Sequence, residues 1–223
     1  MSSIKPLTLW SHASGPNPWK VAIILEELSI PYEAKFVDFS QVKIEPFISV
    51  NPNGRIPGLE DPNTNITMWE SGAIIDYLID QYDTSNKLQY TSLKEKYQTK
   101  AWEHFQMSGQ GPYFGQLIWF TRYHPEKVPS AVERYTKEIK RVTSVIDTHL
   151  KKQGTEYLVG DKLTYADLMF VPWATAVTPL VGEHLAEYDA YNAWLKKLTD
   201  RPVVSKILKE KAEATAKANA NKK

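Results

Sequence analysis

Hydrophobic and polar positions change period along the chain, and each change predicts a different element. Residues 5–11 (KPLTLWS) read as a strand, and residues 18–29 (PWKVAIILEELS) form a helix-spaced apolar run that stops before Pro31. Residues 32–39 (YEAKFVDF) alternate polar and apolar, the period of a half-buried strand. Strand, helix, strand is the parallel crossover unit. Two shorter strand-like pieces, 54–60 and 66–69, flank Asp61-Pro62-Asn63-Thr64-Asn65, a strong turn signal. A second helix is predicted over 71–82, with Ile74, Ile75, Leu78 and Ile79 on its apolar face. The first part is therefore βαβ followed by ββα.

The polar stretch 83–87 opens a linker, and beyond it the strand period disappears. Segments 93–121, 129–152, 164–178 and 189–210 carry helical spacing instead. Thr164-Tyr165-Ala166-Asp167 has the form of a capping box with Asp in place of Glu. From about residue 211 the chain turns Ala/Lys-rich, a frayed helix or a disordered end. The expected class is α/β plus all-α: a first domain over 1–83, a linker over 84–92, an all-helical domain over 93–212 and a tail over 213–223.

Composition narrows the chemistry. A formal net charge of +1 gives no reason to expect nucleic acid or an anionic membrane as partner. With no cysteine among 223 residues, the chain has no thiol nucleophile, disulfide or Cys-ligated metal of its own. Thiol chemistry would need a borrowed thiol. The amino end lacks the apolar core of a signal peptide, no run reaches membrane-spanning length, and a cytosolic protein is expected. The five histidines show no metal-ligand spacing and no Gly-rich phosphate loop occurs, so no metal is expected.

The junction Ser14-Gly15-Pro16-Asn17-Pro18-Trp19-Lys20 lies between the first strand and the first helix. Asn17 has two readings there: an N-cap followed by Pro18 as the first helical residue, or a side-chain amide presented to a ligand at the helix end. Glu70-Ser71 opens the second helix, where a helix end with a hydroxyl suits a carboxylate and the Glu70 carboxylate suits an ammonium. A plain capping serine beside a dipole-friendly acid is the alternative.

The segments SHASGPNPWKVAIILEEL, VNPNGRIPGLED, MWESGAIIDYLI and YLVGDKLTYADLMFVPW, in that order, resemble the glutathione transferase superfamily over most of the chain. The "PN" turn is most similar to the fungal nitrogen-regulator-like and bacterial nu-class branch, which uses Asn where other classes use Tyr, Ser or Cys. The resemblance implies a thioredoxin-like domain that binds glutathione as co-substrate, a helical domain that forms much of the electrophile pocket, and a homodimer. The first tyrosine is Tyr32 and cysteine is absent, which leaves Ser11, Ser14 and Asn17 as thiol partners at the strand-to-helix turn. Asn17 and Ser14 are the catalytic candidates.

A free thiol ionises near a pKa of about 8.5, so a predominant thiolate at neutral pH requires a shift of roughly two units, about 3 kcal/mol. One side-chain hydrogen bond to an anion supplies about 1.5–3 kcal/mol and a helix end about 0.3–1 kcal/mol. Asn17 alone is therefore marginal, and Asn17 with the helix end, Ser14 being a further candidate donor, is sufficient. The resemblance places the γ-glutamyl end of glutathione on Glu70 and Ser71. It also places Arg55-Ile56 before a cis-proline, Pro57, with the Ile56 backbone turned to the peptide ligand and Arg55 toward a carboxylate. Lys43 is the candidate for the glycine carboxylate, equally readable as a solvated lysine; the loop 40–46 is shorter than the family pattern and lacks its usual histidine. In SGQGPYFGQLIWFTRYH, Tyr113, Gln116, Trp119 and Phe120 are the candidates for the electrophile pocket, with Phe114, Tyr123 and His124 nearby. The glycines here are expected to open the helix onto a cleft, although most of the aromatics suit a core equally well.

The expected function is a glutathione S-transferase in which the thiolate attacks a small hydrophobic electrophile, in detoxification or natural-product sulfur chemistry. A glutathione-dependent disulfide reductase or thioether lyase is the second reading, and a non-catalytic regulatory or assembly module the third.

Overall fold

A computed structural model describes residues 4–220. Its first strand, β1 (Leu7–Ser11), buries Leu7, Leu9 and Ser11 and leaves Thr8 and Trp10 half-buried, the alternation of a sheet with helices on both faces. Helix α1 (Pro16–Glu27) begins two residues earlier than its apolar run, because Gly15 takes the extended N-cap conformation (φ −66°, ψ 125°). The second strand, β2 (Tyr32–Phe36), is shorter than expected and pairs in parallel with β1, from Leu7 opposite Tyr32 to Ser11 opposite Phe36. It is an edge strand: Tyr32 is half-buried and the other four residues are exposed. Helix α2 (Phe47–Val50) has no periodic signature at four residues; it folds Phe47 and Val50 onto Val42, with Trp10 and Ile56 against them.

Strands β3 (Gly58–Asp61) and β4 (Ile66–Trp69) form the expected hairpin. Its turn is fixed by Asp61, whose Oδ1 accepts the Asn63 N–H at 2.7 Å. Helix α3 (Ser71–Tyr82) spans the predicted residues. The sheet order β2-β1-β3-β4, with β1 parallel to β2 and antiparallel to β3, is the four-stranded mixed sheet of a thioredoxin-like domain.

The second unit, Leu88–Asp200, is helical. The predicted single run over 93–121 is broken into α4 (Leu93–Phe105) and α5 (Gly111–Arg122) by a π-helical turn at Gln106–Gln110. Two buried amides hold that wide turn: Gln106 Nε2 donates to Gln110 Oε1 at 2.9 Å, and Gln110 Nε2 to the Phe170 carbonyl at 3.0 Å. Helices α6 (Pro129–Gln153), α7 (Tyr165–Val181) and α8 (Asp189–Thr199) complete the unit. Phe114 and Leu117 pack with Ile139, Val142, Val177 and Val181 in its core. The Thr164–Asp167 capping box forms, and the buried Asp167 does more than cap. Its Oδ1 also accepts the Leu158 N–H at 2.9 Å and the Trp194 Nε1–H at 3.0 Å, linking α7 to α8.

The last helix corrects the expected boundaries. The run over 189–210 stops at Thr199, and α9 (Pro202–Ala220) starts anew at a proline in its first position. Arg201 onward belongs to the first unit, Met1–Lys87 with Arg201–Lys223, rather than to the helical one. Most of the expected tail over 213–223 is helix, to Ala220; residues 221–223 lie outside the described residues. The cause is burial and charge: Val204 and Ile207 are buried, Arg201 pairs with the buried Glu27 of α1, and Lys206 pairs with Glu26 at 2.9 Å. Helix α1, lying among β1, α3 and α9, is consequently buried nearly all round. Among the described residues no helix is long and apolar enough to cross a membrane.

Candidate active site

Strand register gathers the sequence candidates at one end of the sheet. Trp10 of β1 lies opposite Gly58 of β3, and Gly58 lies opposite Trp69 of β4. Within two residues of these partners stand the loop 12–15, Pro57 and Glu70. Three segments far apart in sequence thus leave the sheet side by side, with α1 and α3 both starting there.

The loop is organised by His12, which the sequence reading passed over. His12 is buried and stacks on Phe39, with ring centroids 3.7 Å apart and 20° between planes. Its Nδ1 accepts the backbone N–H of Ser14 at 3.1 Å and of Gly15 at 3.2 Å, so in this arrangement the neutral ring carries its proton on Nε2. Ser14 Oγ lies 3.4 Å from the same nitrogen. On the other side of the loop, Trp19 Nε1 donates to the carbonyls of His12 and Ala13, each at 3.1 Å. A histidine seven residues before a buried tryptophan has no sequence signature of its own; only the fold turns the two inward around one loop.

Asn17 is not the N-cap. The helix starts at Pro16, Gly15 holds the cap position, and Asn17 is the second helical residue, half-buried. Pro16 and Pro18 carry no N–H, and that of Gly15 is taken by His12. Of the first three helical positions, only Asn17 brings a backbone donor, and it adds a side-chain amide. The donors at this helix end are therefore concentrated on one residue, where an ordinary helix would spread them over a whole turn.

The Ile56-Pro57 peptide is cis, as the resemblance implies; Glu45-Pro46 is also cis, which no sequence feature announced. Ile56 approaches the loop so closely that a Cβ on Gly15 would sit 2.9 Å from Ile56 Cδ1. Arg55 is exposed, and its carbonyl accepts from Asn51 Nδ2. Lys43 is exposed at its head, while its stem lies against Gly54: a Cβ there would meet Lys43 Cγ at 3.1 Å and the Val42 carbonyl at 3.0 Å. Gly54 has φ +61°, so glycine is required both for conformation and for space. Lys43 and Arg55 thus flank one tight turn.

Glu70 adopts φ 69° and ψ 116°, a left-handed conformation rare for a non-glycine residue, and occupies the position before α3. Such backbone costs about 1–3 kcal/mol and concentrates at ligand sites. Ser71 is the first helical residue rather than the cap, and is buried.

In the helical unit, Tyr113, Gln116 and Phe120 share one face of α5, with Trp119 beside it. Tyr113 and Phe120 both lean on Tyr135 of α6, at centroid distances of 6.3 and 5.7 Å. Gln116 and Trp119 are exposed, Trp119 pairing with Tyr123. Phe114 is core. The glycines do not open the helix: Cβ atoms on Gly115 and Gly111 would meet the Trp173 ring at 3.1 and 3.6 Å, so these glycines admit Trp173 to the surface of α5.

Two family models match the chain, the glutathione S-transferase N-terminal domain over residues 5–80 and the glutathione S-transferase C-terminal domain over 112–202. The chain belongs to the glutathione S-transferase family. The glutathione S-transferase-like protein OpS6 of Beauveria bassiana is 49% identical over 215 residues, covering 95% of this chain and 99% of that protein. The crystal structure of the glutathione transferase URE2P6 from Phanerochaete chrysosporium, in complex with oxidized glutathione, is 46% identical with a TM-score of 0.89, over 94% of this chain and 98% of that one. Ure2p5 of the same organism, cocrystallized with 1-(S-glutathionyl)-2,4-dinitrobenzene, is 39% identical with a TM-score of 0.86, over 96% and 98%. The chain's relatives are thus fungal glutathione S-transferase-like and Ure2-type proteins. The N-terminal glutathione S-transferase model contains every candidate from Ser14 to Ser71, and the C-terminal model contains Tyr113 to Phe120.

Proposed function

We propose that the protein is a glutathione transferase that holds glutathione as thiolate at Asn17 and directs it onto a small apolar electrophile. The observation that carries this reading is the convergence, at one end of the sheet, of Asn17, the Ile56-cis-Pro57 peptide and the strained Glu70-Ser71 helix start. Glutathione lies across them: sulfur toward Asn17 with Ser14 nearby, cysteinyl backbone along Ile56, γ-glutamyl group on Glu70 and Ser71, glycine carboxylate toward Lys43 and Arg55. The amide of Asn17 donates to the thiolate, and the backbone N–H of the same residue marks the helix end. In the transfer step the sulfur lone pair forms the new C–S bond and the electrophile's leaving group departs with its electron pair, or an acceptor double bond takes up a proton. Tyr113, Gln116, Trp119 and Phe120 supply aromatic and amide surface suited to an apolar substrate.

Disulfide reduction is a second reading, supported by the oxidized glutathione held in the URE2P6 crystal. Since the chain has no cysteine, one glutathione thiolate would attack a glutathione-mixed disulfide, giving oxidized glutathione and releasing the second thiol. Turnover with 1-chloro-2,4-dinitrobenzene and other electrophiles, set against turnover with glutathione-mixed disulfides, ranks the two. Activity toward neither, with no glutathione retained on an affinity column, would leave only a regulatory or assembly module.

The protein acts in the cytosol as a homodimer in this account. Apolar side chains without a cover support the dimer: Ile66 and Trp69 on the edge strand β4, each 38% exposed, and Leu93 and Tyr97 one turn apart on α4, 77% and 64% exposed. A monomeric mass by light scattering at micromolar concentration would count against it.

A further inference from the structure

The end of α9 reaches back to the loop that precedes Asn17. Thr215 Oγ1 donates to the carbonyl of Ala13 at 3.1 Å, across 202 residues of sequence. The same carbonyl accepts from Trp19 Nε1, so the loop is fastened on one side by Trp19 and Thr215 and on the other by His12 Nδ1.

This contact is not a by-product of close packing. Helix α9 buries only Val204 and Ile207, both in its first two turns. Farther along, a cavity of about 320 Å³ separates the helix from α1 and the sheet, with Trp19, Tyr32 and Phe36 on one wall and Glu210, Glu213 and Lys217 on the other. Within this loosely packed stretch, the Thr215 hydroxyl ties the far half of the helix to loop backbone. The helix itself is anchored at its start, where Arg201 Nε donates to Glu27 Oε1 at 3.0 Å and Lys206 pairs with Glu26.

We propose that Thr215 is a positioning residue for the thiolate site, the end of α9 setting the conformation of loop 12–15 and through it the placement of Ser14 and Asn17. The proposal rests on the reading of Asn17 as the thiolate partner. A hydroxyl that holds Ala13 from outside leaves the inner face of the loop to the ligand, so Thr215 acts without touching glutathione. It also makes the carboxy-terminal helix, which carries no family motif, a part of the site.

Thr215→Val keeps shape and removes the donor; Thr215→Ser keeps the donor. In the full-length protein, amide exchange at Ser14 and Gly15 is measured by NMR alongside the pH titration of bound glutathione. The valine variant should exchange these amides about 3–10-fold faster and raise the apparent thiol pKa by roughly half a unit, as the loss of one hydrogen bond implies. The serine variant should restore both. Wild-type exchange in the valine variant overturns the proposal, and so does faster exchange with an unshifted titration, even if the melting temperature falls. Should wild-type protein bind glutathione without ionising it while the valine variant still frees the loop, the thiolate reading fails and the fastening of the loop by Thr215 stands.

Discussion

Asn17 stands at a helical start where prolines on both sides have removed the neighbouring donors. In the proposed function its side-chain amide is the adjustable contact to the thiolate, and Asn17→Ala deletes it while keeping the backbone N–H. The neighbouring His12 sets the loop geometry by accepting two amides. His12→Phe preserves the stack on Phe39 but removes that acceptor, and glutathione affinity measured by calorimetry should fall about 5–10-fold. Affinity within twofold of wild type would show that the loop holds itself. At this scale the cis peptide before Pro57 and the start of α3 at Ser71 were legible in the sequence. It was silent on His12 and on the left-handed Glu70 backbone, because a stack on Phe39 and a φ of 69° are products of the closed fold.

Among the elements, the β3–β4 hairpin and α3 share one acid. Burial raises the Asp61 carboxyl, but hydrogen bonds from Tyr77, Tyr82 and Asn63 outweigh it and hold the pKa below the ordinary carboxylate value. Asp147 of α6 is likewise lowered: against the cost of burial stand Lys151 and the backbone N–H groups of Tyr191 and Ala190. Both acids therefore protonate more readily in the unfolded chain. Their stabilisation is complete above an ordinary carboxyl pKa of about 4 and is lost as pH falls through the lowered folded values. Thermal melts should hold level from pH 7 to about 5 and then decline, and Asp61→Asn should lower the neutral melting temperature while flattening part of that decline. An unchanged acid limb in the variant would remove Asp61 from the account. Periodicity located α3 and α6 closely, but it could not see the breaks inside apolar runs. The wide turn at Gln106–Gln110 is held by amides that bond within the helical unit, and the stop at Thr199 depends on a proline whose effect competes with continuous helical spacing.

At the scale of the whole chain, the amino-terminal unit is completed by the carboxy-terminal helix, an ordering that no local pattern reveals. Its keystone is Glu27, buried on α1 and paired with Arg201 and Lys87, each at 3.0 Å. Stranding a buried charge costs about 3–5 kcal/mol, but Glu27→Ala removes the buried charge and leaves Arg201 and Lys87, 31% and 48% exposed, able to reach water. Glu27→Ala should therefore lose less, about 2 kcal/mol, in urea unfolding. A loss below about 1 kcal/mol would mean that the apolar contacts of Val204 and Ile207 suffice to seat α9.

The most direct measurement is the ultraviolet thiolate absorbance of bound glutathione, titrated in wild-type protein and in Asn17→Ala. Wild type should ionise the thiol roughly two units below its free value of about 8.5, and the variant should raise the apparent pKa by about one unit or more. A wild-type titration near the free value, or identical titrations for the two proteins, would contradict the account.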